Sequence, residues 1–454
     1  MSRSERLLRQ VARIASGTLI AAAVLTGCHA SGTPRLSKST APLAAGDFAS
    51  AEMWSAPIAD YLAVGEANFP DGFTRSITAL AVSDPDGDGP RESLLWIGYG
   101  DATRNLGTKT PIEFRYFVAS EDPGFRVARV LAAPPVTASQ QGAPQRTPSD
   151  TGEEQIEPYR VIGGTLWQAG VDSNDPDELW TQAKPAPFKP IEGNVFRLED
   201  RWGQPAWRKF RSIPGGEHVH DICEFDGAIW AVGSGSAHRG EWESGEIFRY
   251  LWRSDDGGET FVPALRAMFP EKGKGDTRFR RLLPVGESLY VFGYVNPFVD
   301  GGPIEGRHVM LRDEAFTELA IDRDGPIADL LVLRTWPLDA TTGLALARNP
   351  DRSTRMFLVE PGSIRELESW SDLSVIDVAS TGAPGEFVLV AGDRNDPQRF
   401  AAYSLSLADA KSMRMPTRVL DLPGVVPSAV AMWRGDLYVG TEGGQVLRSE
   451  RADR

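Results

Sequence analysis

The chain repeats one hydropathy phrase seven times. Past residue 70, a short apolar stretch is followed by a turn, then by a second apolar stretch with an aromatic or aliphatic centre that usually ends in glycine. The copies are Ile77 to Val82 with Leu94 to Gly98, Tyr159 to Ile162 with Leu166 to Gly170, and Val219 to Phe225 with Ile229 to Gly233. Next come Phe279 to Val285 with Leu289 to Gly293, Ile327 to Leu333 with Gly343 to Ala347, Val375 to Ala379 with Phe387 to Gly392, and Ala429 to Trp433 with Leu437 to Gly440. The final residues of successive copies are 72, 63, 60, 54, 45 and 48 positions apart. Continuous β-branched and aromatic runs bounded by glycine and proline are strand signals. No segment beyond residue 28 keeps a 3.6-residue apolar period long enough for a substantial helix.

A unit of about four strands cannot bury both its faces alone, so such units must stack around an axis. The expectation is an all-β chain forming a single β-propeller over residues 46–454. Seven four-stranded blades is the best count, with six and eight as the alternatives. The last copy continues through Gln445 to Arg448 and then lacks a fourth strand. Glu52 to Val64 is expected to supply it, because an open blade would expose a sheet edge.

Charge and cysteine usage add an address. Arg3, Arg6, Arg9 and Arg13 precede the apolar run Ile14 to Leu25, the layout of an export signal over residues 1–27. Twelve residues rise about 18 Å as a helix, short of the ~30 Å hydrocarbon layer. The sequence Leu25-Thr26-Gly27-Cys28 resembles the lipobox of bacterial lipoproteins. That resemblance implies cleavage before Cys28, lipidation of Cys28, and attachment to the cell envelope on the extracytoplasmic side. His29 is not the aspartate that retains such proteins at the inner membrane, so the outer membrane is favoured in a Gram-negative host. Residues 28–45 are rich in Ser, Thr, Pro, Ala and Gly and read as a tether. The chain carries 48 basic and 62 acidic residues. Losing four arginines and one glutamate with the signal leaves a net charge of −17. Such a surface repels anionic lipid and nucleic acid, so the membrane partner must be reached through the lipid and no nucleic-acid partner is expected. Cys223 is the other cysteine; with Cys28 lipidated, no intramolecular disulfide can form.

Ser254-Asp255-Asp256-Gly257-Gly258-Glu259-Thr260-Phe261 fits S-x-D-x-G-x-T-[FW]. It resembles the Asp-box, or BNR, repeat of sialidases and related propellers. The resemblance implies a turn joining a blade's third and fourth strands. In that turn Asp256 accepts backbone N–H groups, Ser254 and Thr260 belong to the motif, Gly258 takes positive φ and Phe261 packs between sheets. A truncated copy stands at Ser120 to Gly124. These turns lie away from the sialidase active face, so the resemblance implies a fold and not an activity. Sialidases use an arginine triad, a Tyr nucleophile assisted by Glu, and an Asp acid/base. They also carry a Phe-Arg-Ile-Pro motif on an early inner strand. Here Phe210-Arg211-Ser212-Ile213-Pro214 has an additional Ser and falls on an outer strand.

Other residues carry candidate chemistry. Asp84, Asp86 and Asp88 alternate before Gly89, as a Ca²⁺ loop requires, but the twelfth position is Leu95 where an EF-hand has Glu. The open readings are a calcium site and a solvated acidic turn. His218 and His220 share a strand face, and the ordinary reading is a polar lining of the central channel, with zinc as the alternative. Arg160, Arg280, Asp329 and Asp377 are also expected near the axis. Tyr99 to Gly107 reads as a glycine-shaped loop. Long loops at 101–111, 132–158, 171–193, 234–246 and 294–307 all leave one face. Of these, 234–246, with His238, Arg239 and Trp242, and 294–307, with Tyr294 and Asn296, mix aromatic and polar groups that suit a glycan or an envelope protein. The expected function is therefore a lipid-anchored binding or scaffolding module, with His220, His238, Arg239, Trp242, Arg280, Tyr294 and Asn296 as ligand-binding candidates. A carbohydrate-active hydrolase or lyase resembling BNR-repeat enzymes is the alternative.

Overall fold

A computed structural model describes residues 48, 52–53, 77–83, 94–99, 115–119, 127–132, 155–170, 191–200, 205–238, 240–241, 244–268, 275–297 and 304–449. The signal, Cys28, the tether, Asp84, Asp86, Asp88, the loop from Gly100 to Gly107, the turn at Ser120 to Gly124, Arg239 and Trp242 lie outside these residues.

Among the described residues the strands form seven antiparallel sheets, six of them built from consecutive chain segments. The first holds Ile77–Ser83, Leu94–Tyr99, Arg115–Ala119 and Val127–Ala132; the second Gln155–Ile162, Thr165–Gly170, Glu192–Asp200 and Pro205–Pro214. The third holds His218–Phe225, Ala228–Gly235, Phe248–Ser254 and Val262–Met268; the fourth Gly275–Val285, Ser288–Pro297, Val309–Arg312 and Ala315–Glu318. Leu331–Asp339, Thr342–Arg348, Thr354–Glu360 and Ser363–Glu366 make the fifth, and Leu373–Ser380, Glu386–Asp393, Asp396–Ser406 and Thr417–Asp421 the sixth. The seventh takes Pro427–Trp433, Asp436–Thr441 and Val446–Ser449 from the end of the chain and Glu52–Met53 from its beginning.

That last pairing sets Glu52 opposite Arg448 and Met53 opposite Leu447, so the sheet edge is covered as expected. The inner strand of the seventh sheet touches those of the first and the sixth, which closes the ring. Each apolar couplet of the sequence forms the first and second strands of a sheet, with one correction. Residues 327–330 are not strand: Pro326–Asp329 is a 3-10 turn, and the inner strand begins at Leu331. Proline at the first position and glycine before it favour this turn over an extended start. Asp329 therefore lies in the approach to the fifth sheet, not on its inner strand.

The core lies between sheets. Trp167, Val195 and Phe210 of the second meet Ile222, Tyr250 and Trp252 of the third. Trp230, Val232 and Leu251 on the other face meet Phe279, Leu289 and Val291 of the fourth. The central aromatic of each phrase, such as Trp96, Trp167, Trp230 or Tyr290, is buried in these layers. Each contributes roughly 1.5–3 kcal/mol through burial.

Candidate functional site

Every inner strand carries an irregularity in its pairing, within its first six residues. The register slips between Ile77 and Ala79, Ile156 and Tyr159, Val219 and Asp221, and Phe279 and Arg281. It slips again between Val332 and Arg334, Val375 and Asp377, and Pro427 and Ala429. A bulge drops a residue out of the ladder and leaves its carbonyl to find another donor. Arginines from the preceding inner strand supply it: Arg281 Nε donates to Leu333 O at 2.7 Å, and Arg334 Nη1 to Ile376 O at 2.9 Å. Acids at the equivalent position do the converse. Asp221 Oδ2 accepts from Leu282 N and Asp377 Oδ2 from Val430 N, both at 2.9 Å and both in the next sheet. Neighbouring inner strands share no backbone ladder, so these side chains bridge them.

One network crosses the axis. The Arg160 guanidinium, in the second sheet, grips Asp221 of the third through Nε at 2.9 Å and Nη2 at 2.8 Å. It then reaches Thr335 of the fifth, Oγ1 at 3.0 Å, whose hydroxyl donates to Leu282 O of the fourth at 2.9 Å. Burial opposes the charge on Arg160, but Asp221 more than offsets it and the arginine pKa is raised. Asp221 also accepts from Ile222 N at 2.9 Å, so both its oxygens are committed. Asp377 is pushed above the ordinary carboxylate range by burial, with Arg334 opposing, and accepts from Trp336 Nε1 at 3.0 Å. The Arg160 bridge thus closes the channel at the level of the bulges.

Above this floor, connections from second to third strands and from sheet to sheet leave on one face. His218 and His220 stack there with ring centroids 5.9 Å apart. Arg278, Arg280 and Arg281 on the next inner strand, together with His218, act on His220, and burial first and those cations second hold its pKa well below the usual imidazole value. Tyr294 lies against Arg278, Asp276, Arg280 and Arg348. Arg278 Nε pairs with Asp276 Oδ2 at 2.6 Å. The second strand of the fourth sheet extends to Pro297, and Tyr294 and Val295 pair with a short strand, Glu305–Gly306. Tyr294 and Asn296 are therefore strand residues rather than loop residues, with Asn296 opposite Asp276. The structure thus brings His220, Arg280 and Tyr294 into one neighbourhood, with Asn296 two rungs further along the same strand.

His238 is placed elsewhere. Its Nε2 lies 3.5 Å from Glu241 Oε1, and Glu241 Oε2 is 3.5 Å from Arg266 on the outer strand of the third sheet. Among the described residues no group of three His, Cys, Asp or Glu side chains gathers as a metal would need. A cavity of about 590 Å³ also opens on this face, between the fifth and sixth sheets, lined by Asp351, Ser353, Arg355, Glu366 and Arg394 among others. Its charges are largely spoken for: Ser353 donates to Asp351 at 2.6 Å, Arg355 to Glu366 at 3.2 Å, and Arg394 to Thr354 Oγ1 at 2.8 Å.

The turn at Ser254 to Phe261 joins the third and fourth strands of its sheet, on the opposite face. Ser254 Oγ donates to Asp256 Oδ1 at 2.7 Å, Thr260 N to Oδ1 at 2.9 Å and Thr260 Oγ1 to Oδ2 at 2.6 Å. The Gly258 N–H goes to Ser254 Oγ at 2.8 Å. Gly258 has φ +89°, and a Cβ there would stand 2.6 Å from Trp167 of the second sheet. Arg197 Nη1, from that same sheet, donates to Gly257 O at 3.0 Å, and Phe261 N to Ser212 O at 3.3 Å. The turn therefore fastens two sheets together.

The residues that hold the axis, Asp221, Arg281, Arg334 and Thr335, are not among those the sequence pattern singles out. Their signal is a broken alternation: Val219-His220-Asp221-Ile222, Phe279-Arg280-Arg281-Leu282 and Val375-Ile376-Asp377-Val378 each insert one residue between apolar neighbours.

No family model matches the chain, and no curated protein matches it. Among solved structures the chain is similar to YCF48 bound to D1 peptide, at 11% identity over 90% of this chain and 97% of that one, with a TM-score of 0.42. It is similar to the GH74 enzyme of Niastella koreensis at 12% identity, covering 83% of this chain and 53% of that one, with a TM-score of 0.43. The Dos1 propeller gives 11% identity, 83% and 94% coverage, and a TM-score of 0.42. The propeller architecture itself stands on the strand order and ring closure described above.

Proposed function

We propose that this chain is a lipid-anchored, extracytoplasmic propeller that acts as a binding or scaffolding module for a carbohydrate or protein ligand, which it takes up at the mouth of its channel. The observation that carries this reading is the division of labour along the axis. Asp221 accepts four hydrogen bonds, two from Arg160 and one each from Ile222 N and Leu282 N. Asp377 is held by Trp336 and Val430 N. A glycosidase needs two carboxyl groups facing a shared substrate space, one of them able to release a proton. These axial acids face other blades, whereas the histidine, arginine and tyrosine side chains line the mouth. The Ser254 to Phe261 turn, with bonding of the kind its Asp-box resemblance implies, supports a role in holding blades together on the far face.

Attachment through Cys28 follows the lipobox resemblance. Cys28→Ser is expected to move the protein from the membrane to the soluble fraction or to leave it unprocessed. A glycan array followed by a reducing-sugar assay separates binder from hydrolase. Retention of glycans without cleavage is the expected result; release of reducing ends by purified protein overturns the reading.

A further inference from the structure

The mouth of the channel has a floor, a wall in which three arginines face one acid, Asp276, and an unsatisfied donor or acceptor. The Arg160–Asp221–Thr335 bridge forms the floor. Arg278, Arg280 and Arg281 come from a single inner strand, on a chain whose net charge is −14. His220 is only 6% exposed, and its Nε2 is buried without a hydrogen-bond partner. A buried polar atom left unpaired is costly and marks a place where a partner is missing.

We infer that this mouth binds an oxyanion, a carboxylate or phosphate group borne by the ligand, and that His220 takes up a proton as the anion enters. The inference deepens the binding function proposed above and rests on it. Anion and imidazolium then satisfy one another, and the arginines that oppose protonation of His220 in the empty site are neutralised by the same anion.

The groups that act on His220 are His218 on its own strand and Arg278, Arg280 and Arg281 on the next, where Arg278 is paired with Asp276; Glu217 and Asp221 flank it in the chain, and Arg160 of the preceding inner strand is paired with Asp221. The second strand of its own sheet, Ala228–Gly235, contributes no ionisable side chain. Asp221 is tied to Arg160, so the balance around the imidazole is positive until an anion arrives. The anion-bound imidazole has the higher pKa, so affinity rises as pH falls through that value and levels off below the pKa of the empty site.

The test is calorimetry on the purified full chain in detergent micelles, with glucuronate, glucose 6-phosphate and glucose as probes. Titrations at pH 8 and pH 6, in two buffers of different ionisation enthalpy, report proton uptake. At least one anion is expected to bind about tenfold or more tightly at pH 6, with net proton uptake, while glucose gives no heat. Glucuronate alone binding identifies a carboxylate source; glucose 6-phosphate alone identifies a phosphate ester. His220→Gln is expected to keep anion binding and lose the proton uptake, and Arg280→Gln to weaken binding at both pH values, each at an unaltered Tm. An NMR titration of the His220 ring in the unsubstituted protein, with and without the anion, gives the same answer should either variant fail to fold. Binding of neither anion, or binding without proton uptake, overturns the inference. Cleavage of glycans by a protein that still binds the anion would overturn the binding-module reading alone.

Discussion

Each ring nitrogen of His308 has a backbone partner, one in the fourth sheet and the other in the turn that leads to the fifth. Nδ1 accepts from Gly293 N at 3.0 Å, and Nε2 faces the carbonyls of Ile327 at 3.0 Å and Leu330 at 2.9 Å. Only the neutral ring with its proton on Nε2 meets both demands. Burial lowers its pKa to about 4, against the pull of the two carbonyls, whereas an unfolded histidine titrates near 6.5. The folded-state pKa is depressed, so the stabilisation is fully present above about pH 6.5 and is lost as pH falls toward 4. It is on the order of 3 kcal/mol. Tm is therefore expected to fall between pH 6.5 and 4, and His308→Gln to lower Tm at pH 7 while flattening that slope. An unchanged slope in the variant would assign the acid sensitivity to other groups. The residue scale is where the sequence was least legible: His308 stands in an unremarkable run, Arg307-His308-Val309, and nothing local says that both its nitrogens are buried against backbone.

At the scale of the element, the glycine that closes so many of the repeated phrases has a geometric cause. A bulge swings the inner strand toward its neighbour, and the glycine sits opposite the bulge. A Cβ on Gly233 would stand 1.9 Å from His218 O, and one on Gly293 2.6 Å from Arg278 O. Gly233→Ala is expected to cost several kcal/mol, beyond the ~1–3 kcal/mol of ordinary overpacking, because backbone and not a flexible side chain obstructs it. Chemical denaturation measures this; a loss under 1 kcal/mol would mean that the strand yields without strain. Strands, couplets and their order were legible because Leu94 to Gly98 and its relatives combine β-branched and aromatic residues with a fixed stop. The bulges were not, since a single additional residue such as His220 or Arg280 looks like noise in an alternation. That is why the pattern places Arg160 and Asp377 near the axis without showing that they bridge sheets. Where proline follows glycine, at Gly325-Pro326, the same apolar composition yields a turn instead of a strand.

On the scale of the whole molecule, closure depends on the segment that precedes the first sheet. Phe48 is 6% exposed and packs with Val388, Leu437, Val439 and Leu447 across the sixth and seventh sheets. Phe48→Ala is expected to lower stability by about 3–5 kcal/mol, with proteolysis then starting at the ends of the chain. Equal resistance in the variant would show that the strand pairing holds the ring without Phe48. That an early segment closes the last sheet was legible from the missing fourth strand after Val446 to Ser449. Among the described residues the joint shows two rungs, Glu52 with Arg448 and Met53 with Leu447. A force pulling on the chain ahead of Glu52 would meet these rungs one after the other, as in a zip. The remaining sheets, each with its ladder complete within itself, would be loaded sideways through side chains. Under tension the ring would thus part first at Glu52 and Met53.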